Sequence, residues 1–158
     1  MVWNLEKRYE PSVDPFKDTD VIDVRGPRTL QTTVALVTGL AFLLDAPWLV
    51  ALMALQLIVG LTFGRAYCLP CVLWFKVLQP RFGEGRIEDS RPPRFANIVG
   101  ACFMSAASVL FLLGFATAGW AVTLTVTALA TLAAISGICV GCEMYTAYAR
   151  LRGIALAH

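Results

Sequence analysis

Apolar residues gather in two blocks, about residues 30–63 and 95–140, with polar sequence before, between and after them. Each block is broken once. The first break, Asp45-Ala46-Pro47-Trp48, joins a charge, a proline and an interfacial tryptophan, the signature of a tight turn at a membrane surface. The second, Thr117-Ala118-Gly119-Trp120, reads the same way. The pattern predicts an all-α polytopic membrane protein of four transmembrane helices in two helical hairpins. Its spans fall at about residues 30–44, 47–63, 96–116 and 120–140. Pro47 suits the first turn of the second helix, where no N–H is needed. The first two spans are short, covering roughly 22–26 Å at 1.5 Å per residue, and extension through Thr32-Thr33 would lengthen the first.

Composition agrees. The 158 residues are 58% hydrophobic and mean hydropathy is +0.67, too apolar for one buried core in so short a chain. The opening residues carry no apolar stretch, so the first span rather than a cleaved leader is expected to direct insertion.

Charge then sets orientation. All thirteen Lys and Arg residues lie in three segments: Lys7, Arg8, Lys17, Arg25 and Arg28; then Arg65, Lys76, Arg81, Arg86, Arg91 and Arg94; then Arg150 and Arg152. The two turns hold none. With four spans these segments share a side, which the positive-inside rule assigns to the cytoplasm of a multi-pass inner-membrane protein. Residues 1–29 would form a cytoplasmic segment, 30–148 the membrane domain with a cytoplasmic loop at 64–95, and 149–158 a cytoplasmic tail. No basic run with interleaved aromatics points to nucleic acid. The partner implied throughout is the lipid bilayer.

The sharpest chemical signal is a cysteine pair after each hairpin, Cys68-Leu69-Pro70-Cys71 and Cys139-Val140-Gly141-Cys142. The unit helix, turn, helix, CxxC therefore occurs twice, although similarity outside the CxxC is too weak to establish duplication. The spacing suits one disulfide or two ligands to one metal. Three readings stay open for Cys68, Cys71, Cys139 and Cys142: redox or sulfur chemistry, a zinc site of all four thiolates stapling the hairpins, and inert thiols. Stable disulfides are not expected in cytosol.

The two pairs are expected to differ. Cys68 would stand at the amino end of a short interfacial helix over residues 72–79 ended by Pro80, where thiolate is favoured and Arg65 could add to the effect. Cys139 and Cys142 would lie near the carboxyl end of the fourth helix, or within it, with Gly141 permitting a break. On that basis Cys68 attacks, Cys71 resolves and the second pair exchanges electrons with the first. Cys102 reads as a small packing residue. Asp45 reads as a helix cap, and His158 carries no functional reading.

Gln56, Ser105, Ser108 and the threonines 123, 125, 127 and 131 read as hydrogen-bonding between helices or back to their own carbonyls. The loop 81–94 reads as irregular. Arg25, Arg28, Arg65, Arg91 and Arg94 are candidate contacts for lipid headgroups or a sulfur oxyanion.

Four motifs in order carry a resemblance: Arg-Gly-Pro-Arg at 25–28, Cys-x-Pro-Cys at 68–71, Arg-Pro-Pro-Arg-Phe-Ala at 91–96 and Cys-x-Gly-Cys at 139–142. Over about residues 23–148 the chain resembles the bacterial membrane family catalogued as domain of unknown function 4395. The resemblance implies association with thioredoxin-like proteins and sulfurtransferases, and it assigns no catalytic residues. The function expected is a membrane-embedded dithiol protein for thiol–disulfide or sulfur transfer, an oxidoreductase if an enzyme at all. The alternatives are a zinc scaffold and an oligomeric permeation protein for small sulfur compounds.

Overall fold

A computed structural model describes residues 16–17 and 20–153. Lys7, Arg8 and His158 lie outside the described residues. Strand β1 (Val21–Asp23) leads into helices α1 (Arg25–Leu43) and α2 (Pro47–Thr62). After a 3-10 turn at Arg65–Tyr67 come α3 (Leu69–Leu73), a π-helical segment (Trp74–Leu78) and α4 (Gln79–Phe82). Strand β2 (Ile87–Asp89) opens the second half, followed by α5 (Arg91–Leu112), α6 (Ala116–Ser136) and α7 (Val140–Leu151).

The long helices form a ring in the order α1, α2, α5, α6, with α6 closing on α1. Contacts between the hairpins, α2 on α5 and α1 on α6, are more extensive than those within each hairpin. Exchanging α1 with α5 and α2 with α6 therefore maps the bundle onto itself. The ribbon obeys the same operation. β1 and β2 are antiparallel with Val21 opposite Asp89, Ile22 opposite Glu88 and Asp23 opposite Ile87, so the central pair Ile22–Glu88 marks a pseudo-two-fold axis. The two halves share the line Asp-x-Arg-x-Pro-Arg, at Asp23 to Arg28 and at Asp89 to Arg94.

Local chemistry explains the starts and stops. Asp23 and Asp89 are both buried. Their Oδ1 atoms accept the backbone N–H of Arg25 at 2.9 Å and of Arg91 at 2.8 Å, satisfying donors that a helix amino end leaves open. The α1–α2 turn puts Asp45 at φ 49, a left-handed position that Asp tolerates. The helix cap expected of Asp45 is not made: the N-cap of α2 is Ala46, with no side-chain bond. Pro47 does open α2.

The second turn lies earlier than the sequence suggested. It falls between Leu112 and Ala116 with Gly114 at φ 83, while Thr117 to Trp120 are already helical. Gly119 is buried inside α6 because a Cβ there would meet the Phe111 ring at 2.8 Å. Its role is close packing, which in sequence looks like a turn. The loop 81–94 is likewise not irregular, since it supplies β2 and the first turn of α5.

Hydroxyls on the helices are internally satisfied. Thr123, Thr125, Thr127 and Thr131 each donate to the carbonyl four residues back, and Ser108 does the same to Met104. Thr38 Oγ1 lies 2.7 Å from Thr127 Oγ1, tying α1 to α6. Gln56 instead donates to the Tyr67 carbonyl at 3.2 Å and holds the turn that precedes Cys68. Two helices, Arg91–Leu112 and Ala116–Ser136, are long and apolar enough to cross a membrane; Pro47–Thr62 is apolar but shorter.

Candidate functional site

The cysteine pairs occupy matching places in the two halves. A glycine with positive φ ends the approach to each pair, Gly64 at φ 90 after α2 and Gly137 at φ 75 after α6. Glycine takes that backbone without strain. Each pair then starts a new helix. Cys68 is the N-cap of α3 with φ −84 and ψ 101. Cys139 is the N-cap of α7 with φ −91 and ψ 105. Val72 N–H bonds to the Cys68 carbonyl and Glu143 N–H to that of Cys139, both at 2.9 Å. Cys68 is disulfide-bonded to Cys71 and Cys139 to Cys142, with Cα–Cα separations of 5.2 and 5.1 Å.

This overturns the expected difference between the pairs. Cys139 does not lie at the carboxyl end of α6; the chain breaks at Gly137 and restarts, so both first cysteines stand at a helix amino end. Cys139 Sγ also accepts the Cys142 N–H at 3.3 Å. Gly141 is not the break. A Cβ there would lie 2.9 Å from Ala96 Cβ, so it lets α7 lie against the start of α5. Nor does Pro80 end the first helix, which runs from α3 through the π segment to Phe82 and stops at Gly83 with φ 76. A π turn before a proline relieves the clash of its ring with the preceding turn.

Burial separates the two pairs. Cys68 and Cys71 are 5% and 7% exposed, whereas Cys139 and Cys142 are half-buried. Each pair lines its own cavity, of about 320 Å³ for Cys68–Cys71 and about 360 Å³ for Cys139–Cys142. Ile22, Pro27 and Pro93 border both cavities. The four sulfurs therefore stand as two pairs, not as one four-thiolate cluster. Among the described residues no three His, Cys, Asp or Glu side chains gather as a metal-holding group. Cys102 is exposed on α5, so it is not the packing residue expected.

Four of the five candidate arginines border these cavities or brace them. Arg65 and Arg94 line the first cavity, with Arg65 Nη1 donating to the Val21 carbonyl at 3.0 Å. Arg28 lines the second and lies against Gly137, where any side chain would displace it. Arg25 donates to the Phe82 carbonyl at 3.1 Å and pins the end of α4. Arg91 faces Asp89 at 3.9 Å and borders neither cavity. The amides that sequence reasoning missed are Gln31 and Asn97. Each stands three residues after Arg28 or Arg94, and each lines the cavity of the opposite half's cysteines. The repeated Asp-x-Arg-x-Pro-Arg line is the signal that could have found them.

A family model for a domain of unknown function, DUF4395, matches residues 22–150. The chain belongs to that family. The matched span begins in β1 and ends in α7, so it takes in both halves and both cysteine pairs. No curated protein and no solved structure matches the chain.

Proposed function

We propose that the chain is a multi-pass protein of the inner membrane that carries out thiol–disulfide exchange or sulfur transfer. Its partner would be a thioredoxin-like or sulfurtransferase protein in the cytoplasm. The observation that carries this reading is the twofold placement of a disulfide at the start of a helix, beside a cavity, at one end of a helical bundle. A thiolate of the partner attacks one sulfur of a pair, the S–S bond breaks, and a mixed disulfide forms. A second thiolate of the partner then attacks the mixed disulfide, leaving the pair as a dithiol and the partner oxidised; started from the dithiol, the same steps run backwards and reduce an oxidised partner. Disulfides do not persist in cytosol, so these would cycle.

Apolar surface supports the membrane setting. Only 17% of the most apolar stretch of α5, and the same share of α6, is buried within the chain. Leu112 is 87% and Ile135 82% exposed. In this reading α1 and α2 complete a four-span bundle, their threonine hydroxyls neutralised by their own carbonyls. The arginines cluster with the cysteines, and the turns near Asp45 and Gly114 carry no Lys or Arg. That asymmetry favours a cytoplasmic position for the cysteine end.

Exposure suggests a division of labour. The half-buried Cys139–Cys142 pair is the one a protein partner can reach, which reverses the order in which Cys68 attacks first. Native intact mass of the purified protein, before reductant or chelator, tests the reading. A metal-free mass lowered by two hydrogens per disulfide supports it. A mass raised by one zinc ion, lost together with folding on chelation, would replace it with a scaffold held by metal.

A further inference from the structure

The two cavities have the same construction and different charge. The Cys139–Cys142 cavity is bordered by Arg28, Arg86 and Arg150 but also by Glu88, Asp89 and Glu143. The Cys68–Cys71 cavity is bordered by Arg65 and Arg94, with the amides of Gln56 and Asn97, and no carboxylate lines it among the described residues. Arg94 and Asn97 sit three residues apart on α5, so they present to one face. Among the described residues the Arg94 guanidinium has no hydrogen-bond or ion-pair partner. A cavity bordered by the Arg94 guanidinium and by amide donors, with no carboxylate among its described lining residues, suits a small oxyanion.

The disulfide in its wall narrows the class. An S–S bond reacts with soft sulfur nucleophiles and is inert to phosphate or sulfate. With cysteines only 5% and 7% exposed, a protein thiol cannot enter, whereas a small ion fits about 320 Å³. We infer that the cavity between α2, α3 and the start of α5 binds a sulfite-class sulfur oxyanion and presents it to the Cys68–Cys71 disulfide. The sulfur lone pair of sulfite forms a bond to one cysteine sulfur as the S–S bond breaks. The other cysteine leaves as thiolate. Sulfite is thereby oxidised by two electrons and the disulfide reduced, giving one cysteine S-sulfonate and one thiolate with no further reagent. Arg94 and Asn97 act as positioning residues, holding the oxygens while the sulfur attacks.

This inference rests on the reading that Cys68–Cys71 is an exchangeable disulfide, and the test separates the two. The oxidised Cys102→Ala, Cys139→Ser, Cys142→Ser protein in detergent is treated with sulfite, and with dithiothreitol in parallel, and followed by intact mass. The expected result is a mass gain of one SO3 plus two hydrogens, as the disulfide opens to one S-sulfonate and one thiol, at a rate that saturates with sulfite. Sulfate, which cannot attack, should compete. Arg94→Gln should lower the rate at low sulfite by about tenfold, Arg94→Lys should retain saturation, and Arg81→Gln, outside the cavity, should leave the rate unchanged. A rate linear in sulfite and indifferent to Arg94→Gln would overturn the inference. So would competition by phosphatidylglycerol micelles but not by sulfate, which would make the cavity a headgroup site. Opening by dithiothreitol but not by sulfite sinks this inference alone; opening by neither also sinks the reading of Cys68–Cys71 as an exchangeable disulfide.

Discussion

Asp23 and Asp89 do the same work on opposite sides of the pseudo-two-fold axis: each buried carboxylate accepts the backbone N–H two residues ahead, at 2.9 and 2.8 Å, and starts a long helix. Asp23 Oδ2 also accepts the Gly85 N–H at 3.1 Å, tying the loop before β2 to the start of α1. Asp23→Ala leaves two backbone donors without their acceptor and is expected to cost about 2–3 kcal/mol. Unfolding of the variant and the unchanged protein in the same detergent measures the loss, and a loss well under about 1 kcal/mol would mean that these two bonds contribute little.

Thr38 and Thr127 make a second testable pair. Two hydroxyl hydrogens serve three contacts: Thr38 to the Val34 carbonyl at 2.7 Å, Thr127 to the Thr123 carbonyl at 2.8 Å, and the 2.7 Å contact between them. One of the three contacts is therefore always without a hydrogen. Thr38 is fully buried, so Thr38→Val leaves shape nearly unchanged and removes the link. A loss of about 0.6–1.5 kcal/mol is expected, as for hydrogen bonds between membrane helices. The double variant with Thr127→Val should lose little more than either single one. Full additivity in that cycle would show that the two hydroxyls do not interact.

Gly119 tests whether tight packing, not a turn, explains that residue. Alanine is the better helix former by about 1 kcal/mol, yet its Cβ would meet three atoms of the Phe111 ring at 2.8–2.9 Å. That ring also packs edge-on against Trp120, with centroids 4.8 Å apart. Gly119→Ala should destabilise by about 1–3 kcal/mol, the cost of overpacking. The same change in a Phe111→Leu background should cost less. If Gly119→Ala stabilises in both backgrounds, propensity has won and the contact is soft.

What could be read from the sequence follows from what periodicity encodes. The helices, the Pro47 turn and both cysteine pairs were legible because apolar length, proline and CxxC spacing are local signals. The second turn is not legible because Gly119 and Trp120 resemble an interfacial break, and only the Phe111 ring shows why a glycine stands there. The β ribbon was invisible: three residues on each side, far apart in sequence, pair only because the two halves meet. Gly137 and Gly141 are equally good breaks in sequence, and only the positive φ of Gly137 makes Cys139 the start of a new helix and not the end of the old one. Burial of one pair and exposure of the other depends on how α3 and α7 lie against the bundle, which no local signal records.

That difference in burial makes the last prediction the most direct. Reduced thioredoxin, used as a protein probe, has to seat a sulfur against the disulfide, whereas a small phosphine needs only a cavity. Cys139–Cys142 is half-buried and Cys68–Cys71 is not open to a protein surface. Thioredoxin should therefore open the second pair at least about tenfold faster than the first, while the phosphine opens both at comparable rates; tenfold corresponds to about 1.4 kcal/mol in the barrier. Maleimide labelling and peptide mass after timed quenching assign thiols to each pair. Reduced thioredoxin lacking its own second cysteine attacks the intact disulfide but cannot leave by resolution, so it should accumulate as a mixed disulfide on the Cys139–Cys142 pair and not on Cys68–Cys71. Equal opening of both pairs by thioredoxin would mean that the Cys68–Cys71 wall moves aside on docking. Trapping on Cys68 alone would return the attacking role to the first pair, as its place before Pro70 suggests in sequence.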